Sequence, residues 1–228
     1  DTECLQNYWL LGMRLPDGTV KQWRIYGANN SMPPAERAEM SAYLDAYPLW
    51  TFNGLGYDIW MIAAALAGYT CAQLKMINDK IISERVKPWM LGIPRWEPRD
   101  HIDIMEVIPG VGSQKYKAGI IHYRTMQDMP HDHNVYCTPE ICADIDHYNA
   151  NDLGQLLALA EDETTAEAVK LREFLSDKYG IDVRSKSDAQ VAEAILIRQC
   201  EKALGYRIKK ADPEWNIQFK YDAPAYLQ

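Results

Sequence analysis

Along residues 138–163 the apolar positions Ile141, Ile145, Leu153, Leu156, Leu157 and Ala160 recur at helical spacing. Thr138 suits an N-cap, Pro139 the first helical position, and Glu140 puts negative charge in the first turn, so this stretch predicts one long helix. Tyr148 and Asp152, four residues apart, fall on the same side as the apolar stripe. An inward-facing carboxylate is costly unless something pairs with it, and a metal ion is one candidate; the alternative is a solvated acid at the stripe's edge.

Read the same way from its start, the chain gives an antiparallel hairpin of Glu3–Leu15 and Val20–Tyr26 around the turn Pro16-Asp17-Gly18-Thr19. Pro33-Pro34 opens a helix to about Ala46, Pro48 breaks it, and Leu49–Phe52 is a short buried-type strand. Asn53-Gly54-Leu55-Gly56 turns into a helix, Tyr57–Ala67, that is apolar nearly all round and therefore expected to be buried. Thr70–Arg85 reads as a helix, Lys87–Arg99 as irregular chain, Ile102–Val107 as a strand and Ser113–Gly119 as a short helix. Residues 122–137 read as loop. After the long helix the character changes to two charged amphipathic helices, Ala166–Lys178 and Asp188–Leu204, and Lys209–Gln228 has no clear period. The order of elements predicts an α/β or α+β layer fold around a mixed sheet, with residues 1–163 as one domain and 164–228 as a helical extension.

Composition narrows the function classes. No run of about 18 apolar residues exists, so no membrane span is expected. The five cysteines are odd in number and contain no Cys-x2-Cys pair, which fits free thiols in a reducing cytoplasm. A net charge of −8 argues against a broad basic face for nucleic acid, but not against an acidic pocket neutralised by divalent cations. The start lacks an initiator Met, a basic leader and a signal-peptide core, and reads as a chain whose true beginning lies elsewhere.

The acids form a pattern. Asp1 and Glu3 point to one side of a strand, Asp58 sits in the first turn of the buried helix, and Asp152 lies one turn after Tyr148. Four converging carboxylates repel, and some take raised pKa values. Two Mg²⁺ or Mn²⁺ ions make the same cluster favourable, because hard cations prefer carboxylate oxygen and water. Two ions about 4 Å apart suit an in-line phosphoryl displacement.

Asp1-x-Glu3 before a hairpin, Asn53-x4-Asp58 between strand and helix, and Tyr148-x3-Asp152 on a late helix together resemble the three exonuclease motifs of the DEDD superfamily, in its Tyr version. The text Ile102-Asp103-Ile104-Met105-Glu106-Val107, Tyr148-Asn149-Ala150-Asn151-Asp152-Leu153 and Ser185-Lys186-Ser187-Asp188-Ala189-Gln190 is similar to bacteriophage DNA polymerases of family A. The resemblance implies a ribonuclease-H-like fold and removal of nucleotides from single-stranded 3′ ends, as proofreading for a polymerase domain in a longer chain. It implies host-cell cytoplasm as the compartment, and a first strand whose earlier half precedes Asp1. By the same resemblance Asp1 bridges both metals, Glu3 and Asp152 complete the tighter site, Asp58 holds the second ion partly through water, and Tyr148 orients the attacking water. Asn53, with Phe52 or Leu55, would contact the terminal nucleotides, and Lys115, Lys117 and Arg124 the strand's phosphates. Gly54 and Gly56 depart from the family pattern and imply a mobile loop before Asp58.

Other constellations are weaker. His131-x-His133-x3-Cys137-x4-Cys142 matches no common zinc spacing, and Cys142 falls within the helix. Asp100-His101-Ile102-Asp103 reads as structural acids at a strand's start. Two further function classes stay open: a free-standing exonuclease on RNA or DNA, and a domain of the same fold that binds single strands or a partner without cleaving.

Overall fold

In the computed structural model residues 1–208 are described. The segment read as having no period, 209–228, lies outside them. The aromatic-rich start folds as two strands rather than one. β1 (Thr2–Cys4), β2 (Tyr8–Arg14) and β3 (Val20–Tyr26) form an antiparallel sheet in the order β1-β2-β3. Thr2 pairs with Leu11 and Cys4 with Trp9; on the other edge Tyr8 pairs with Tyr26 and Arg14 with Val20. The break comes at residues 5–7. Leu5 N–H donates to the Tyr8 carbonyl at 2.8 Å, and the Asn7 side chain accepts from Cys137 N–H at 2.7 Å while donating to its carbonyl at 3.1 Å. The partner that holds this turn is 130 residues away, so no local pattern announces it.

β2 is buried from Tyr8 to Met13 because helices cover both faces of the sheet. Its odd positions Trp9, Leu11 and Met13 pack with Met40 and Leu44 of α1 (Pro34–Ala46), Met61 and Ala64 of α2 (Asp58–Leu66) and Leu74 of α3 (Cys71–Ile82). Its even positions Tyr8 and Leu10 pack with Ile145 of α5 (Pro139–Glu161). Thr70 caps α3 through a reciprocal pair with Gln73, at 3.3 and 2.8 Å.

A second ladder is parallel: β4 (Leu49–Thr51) with β5 (His101–Asp103). The strand expected over 102–107 ends at Asp103, whose carboxylate turns the chain by accepting Met105 N–H at 3.1 Å. α4 (Gln114–Ile120) is capped by Ser113, and α5 by Thr138, as its sequence predicts. α6 (Glu163–Tyr179) starts three residues before its expected place, because the Asp162 carboxylate accepts Thr165 N–H at 3.4 Å and serves as its cap. Ser187 and Gln190 form the capping box of α7 (Asp188–Leu204). The class is therefore α/β, with antiparallel and parallel β-pairing and seven α-helices among the described residues. None of these helices is long and apolar enough to cross a membrane.

The boundary expected at residue 163 falls inside shared packing. Val169 of α6 joins Ile102, Ile104, Leu156 and Leu159 in one core cluster, and Ser185 Oγ accepts Asp103 N–H at 2.9 Å.

α5 is fastened to the sheet at two points. Asp146 accepts from the Tyr8 hydroxyl and from Arg24 Nε at 2.8 Å. Asn149, fully buried, lies against Gly12 so closely that a Cβ there would sit 1.9 Å from Asn149 Oδ1. Gly12→Ala is accordingly expected to cost about 1–3 kcal/mol in urea unfolding. In an Asn149→Ala background the same change should cost much less, and equal costs in both backgrounds would contradict this contact.

Candidate metal centre

Strand alternation sends the side chains of β1 to opposite faces. Thr2 faces α2, where its N–H and its hydroxyl both donate to Asp58 Oδ1, at 2.9 and 2.8 Å. Asp1 and Glu3 face α5. There one carboxylate oxygen from each of Asp1, Glu3 and Asp152 lies within 4.8 Å of the others, the one such group of metal-ligating side chains among the described residues.

Neutral side chains hold this cluster in place. Asn149 Nδ2 donates to Asp1 Oδ2 at 2.9 Å, and Gln155 Nε2 to Asp152 Oδ1 at 2.8 Å. Gln114 of α4 donates to the Asp152 carbonyl at 2.8 Å, tying α4 to the same turn of α5. The Tyr148 hydroxyl lies near the Asp152 carboxylate and favours its ionised form, and Lys115 Nζ stands 4.7 Å from the centre of the Tyr148 ring.

Burial and concentrated negative charge set the electrostatics. Burial first, then the carboxylates of Asp152 and Asp58, push Glu3 from its ordinary 4.5 to about 8. Burial also raises Asp152, opposed by its Tyr148 hydrogen bond, the Lys115 charge and the Gln155 hydrogen bond. The Tyr148 hydroxyl is raised by burial and by the Asp152 and Glu3 charges, so it stays protonated and able to donate.

The donor set fits a hard divalent cation. Three carboxylates supply the oxygen ligands such ions prefer, and the ion's charge would replace repulsion with attraction. The buried Gln155 Oε1, beside Asp152, has no hydrogen-bond partner among the described residues and could accept from a cation's hydration water. Asp58, expected as a fourth ligand, is not in the three-acid group. It is 4 % exposed, with its Oδ1 accepting from Thr2, yet near enough for its charge to raise Glu3.

The expected substrate-contacting residues divide. Lys117 is a correction: it is 2 % exposed, and its ammonium donates to the carbonyls of Ile108, Pro109 and Gly110, pinning that loop rather than facing a phosphate. Lys115 remains beside the cluster, with Asp128 at 3.9 Å, and Arg124 is exposed on the 122–137 loop. Phe52 is half-buried and packs against the cluster around Ile102 and Ile104, whereas Leu55 is 51 % exposed. Asn53 takes the left-handed conformation, φ 65°, with its N–H on Asp103 Oδ1 at 2.9 Å. Leu55 N–H donates to the other Asp103 oxygen at 2.9 Å. Two N–H groups of the loop before Asp58 are thus held by one buried carboxylate. Gly54 and Gly56 serve close packing, since a Cβ would meet the Thr51 side chain at 2.3 Å and Asn53 Oδ1 at 2.5 Å.

The His–Cys set does not converge. His131 Nε2 bonds Asp144 at 2.8 Å, and Cys137 is buried in the Asn7 clasp. Thr2, Asn149, Gln155, Gln114 and Gly12 shape the centre without having been singled out from sequence. Polar residues on a mostly apolar helix face were the available signal for Asn149 and Gln155, and a glycine inside a strand was the signal for Gly12.

Comparison of this chain with protein-family models, with curated proteins and with solved structures yields no match.

With a folded pKa of about 8 against an ordinary 4.5, Glu3 favours its protonated form in the folded state. Its ionisation therefore costs stability increasingly as pH rises from 4.5 to about 8. In EDTA, Glu3→Gln should melt above the wild type at pH 8 and level with it at pH 4. Adding Mn²⁺ at pH 8 should raise the wild-type melting temperature more than that of Glu3→Gln. Equal Mn²⁺ shifts in the two proteins would remove Glu3 from the centre.

Proposed function

We propose that this chain is a metal-dependent 3′→5′ exonuclease domain that removes nucleotides from single-stranded 3′ ends. Its most specific form is the proofreading domain of a phage-type DNA polymerase, with a ribonuclease-H-like fold. The observation that carries the reading is the meeting of Asp1, Glu3 and Asp152 within 4.8 Å, with Tyr148 beside Asp152. The architecture agrees with it: an antiparallel three-stranded sheet leads into a parallel strand pair, and helices pack on both faces. A domain that only bound single strands would have no use for three carboxylates held together at this cost, because like charges repel the phosphates they would meet.

Asp1, Glu3 and Asp152 would hold the cations. When bound, these ions supply charge stabilisation at the scissile phosphate and lower the pKa of the attacking water. The protein's own side chains do the rest. Tyr148, protonated and beside Asp152, offers its hydroxyl to position that water. Lys115, over the Tyr148 ring, places positive charge where the strand's phosphates approach. Leu55, exposed on a loop that Asp103 fixes, presents an apolar surface to the terminal base. Asp58 acts at the outer edge of β1, through Thr2, on the backbone that carries Asp1 and Glu3.

A labelled single strand incubated with Mg²⁺ should shorten from its 3′ end, and EDTA should stop the reaction. Asp152→Ala is expected to lower the rate by about 100-fold or more, since charge stabilisation by a bound ion is worth several kcal/mol and each ~1.4 kcal/mol is tenfold. Tyr148→Phe should lower kcat with little change in KM. Unaltered shortening by Asp152→Ala would reject the proposal.

A further inference from the structure

α6 and α7 supply no ligand to the candidate metal centre, yet the ends of these two helices border an open groove of ≈ 520 Å³. Lys178 and Tyr179 line it from the last turn of α6, Arg198 and Lys202 from α7, and Tyr206 and Arg207 from the chain just beyond. In a protein of net charge −8, its described lining carries four cations and a single carboxylate, that of Glu201. The Glu201 carboxylate is already engaged, accepting Ile208 N–H at 3.0 Å.

Among the described residues none of the four cations makes an ion pair. Lys178 sits against aromatic rings, its ammonium 5.7 Å from the centre of Phe174 and 5.4 Å from that of Tyr179. The electrostatics of helix ends accounts for two of the four: Lys178 and Lys202 stand in last turns, where the helix dipole favours positive charge. It does not account for Arg198, which stands before that turn, or for Arg207, which follows the helix. Arg198 and Lys202 are moreover one helical turn apart on α7, a spacing at which like charges repel. A bound anion turns that repulsion into attraction.

The chemistry of the lining narrows the anion. Guanidinium groups present planar forks that match phosphate oxygens two at a time, and two arginines stand here with a lysine. Tyr206, 63 % exposed, and Tyr179 add flat ring faces on which a base stacks whatever its identity. An acidic peptide would use the cations but not the rings. We infer that this groove binds a nucleotide unit, its phosphates on Arg198, Lys202 and Arg207 and its base on Tyr206. The unit belongs to a free nucleoside phosphate or to a single nucleic-acid strand, which present the same phosphate and base. No divalent cation is required, so the inference stands apart from the nuclease reading.

The experiment is a calorimetric titration in EDTA, where the cation-free acids of the metal centre repel phosphates. The probes are adenosine triphosphate, tripolyphosphate, hexathymidylate and a hexaglutamate peptide. Adenosine triphosphate should bind about tenfold more tightly than tripolyphosphate, through the stacking of its base. Both should weaken as salt rises. Arg198→Ala combined with Arg207→Ala should weaken the two alike, by about tenfold or more. Tyr206→Ala should bring adenosine triphosphate down to the level of tripolyphosphate and leave the latter unchanged. These three side chains are exposed, so the variants keep the fold. Lys80→Ala with Lys87→Ala, which removes the same charge at and just after α3, should bind as the wild type does. Tighter binding of hexathymidylate than of adenosine triphosphate, per phosphate, assigns the groove to a strand, and the reverse to a free nucleotide. Equal affinity for adenosine triphosphate and tripolyphosphate overturns the inference. So does hexaglutamate binding as tight as either, a loss in the lysine control equal to that in the arginine variant, or no binding at all.

Discussion

The contact on which the rest depends is the seat of Asn149 in the notch that Gly12 leaves in β2. Only a residue without a side chain lets α5 come so close to the sheet, and at that separation the Asn149 amide reaches Asp1. One turn further along α5, Asp152 then meets Glu3, and Tyr148 lies on the near side. A larger residue at position 12 would lift the helix and part the acids, while leaving each element's own sequence pattern untouched.

Bringing three carboxylates to this junction concentrates charge in a poorly hydrated place, and Glu3 registers the strain most strongly. Among the described residues the acids are offset by amide donors on Asp1 and Asp152 and by a lysine over the neighbouring ring. Such an arrangement restrains the acids but leaves burial and mutual repulsion dominant at Glu3. That residual repulsion underlies the proposed cation binding. Asp58 contributes from the outer edge of β1, where Thr2 accounts for its position with two hydrogen bonds to one oxygen.

A second buried carboxylate organises the side of the molecule nearest β5. Asp103 accepts three backbone N–H groups, ending β5 and fixing the loop before Asp58, and its own N–H is taken by Ser185. Arg184 bonds Asp100, one residue before β5 begins at His101, and Arg172 bonds the Lys186 carbonyl at 2.8 Å. The chain after α6 is thereby anchored to the same strand that positions Asn53 and Leu55. Two acids of the Asp-His-Ile-Asp segment thus serve the scaffold, as their place at a strand's start suggested.

The sequence by itself determined what depends on neighbours a few residues apart. Caps and periodicity placed α1, α3, α5 and α7 to within a few residues, and the acid spacings picked out Asp1, Glu3, Asp152 and Tyr148. Tertiary structure decided whatever needed a distant partner. The first strand became two because Asn7 clasps Cys137. Lys117 turned inward because three loop carbonyls needed a donor, and two N–H groups of the glycine-containing loop found the Asp103 carboxylate. Asp58 went to Thr2 rather than to the other acids. Periodicity reports which face of an element is buried, but hydrogen-bond partners across 50 to 130 residues are chosen only when the packed elements bring them within reach.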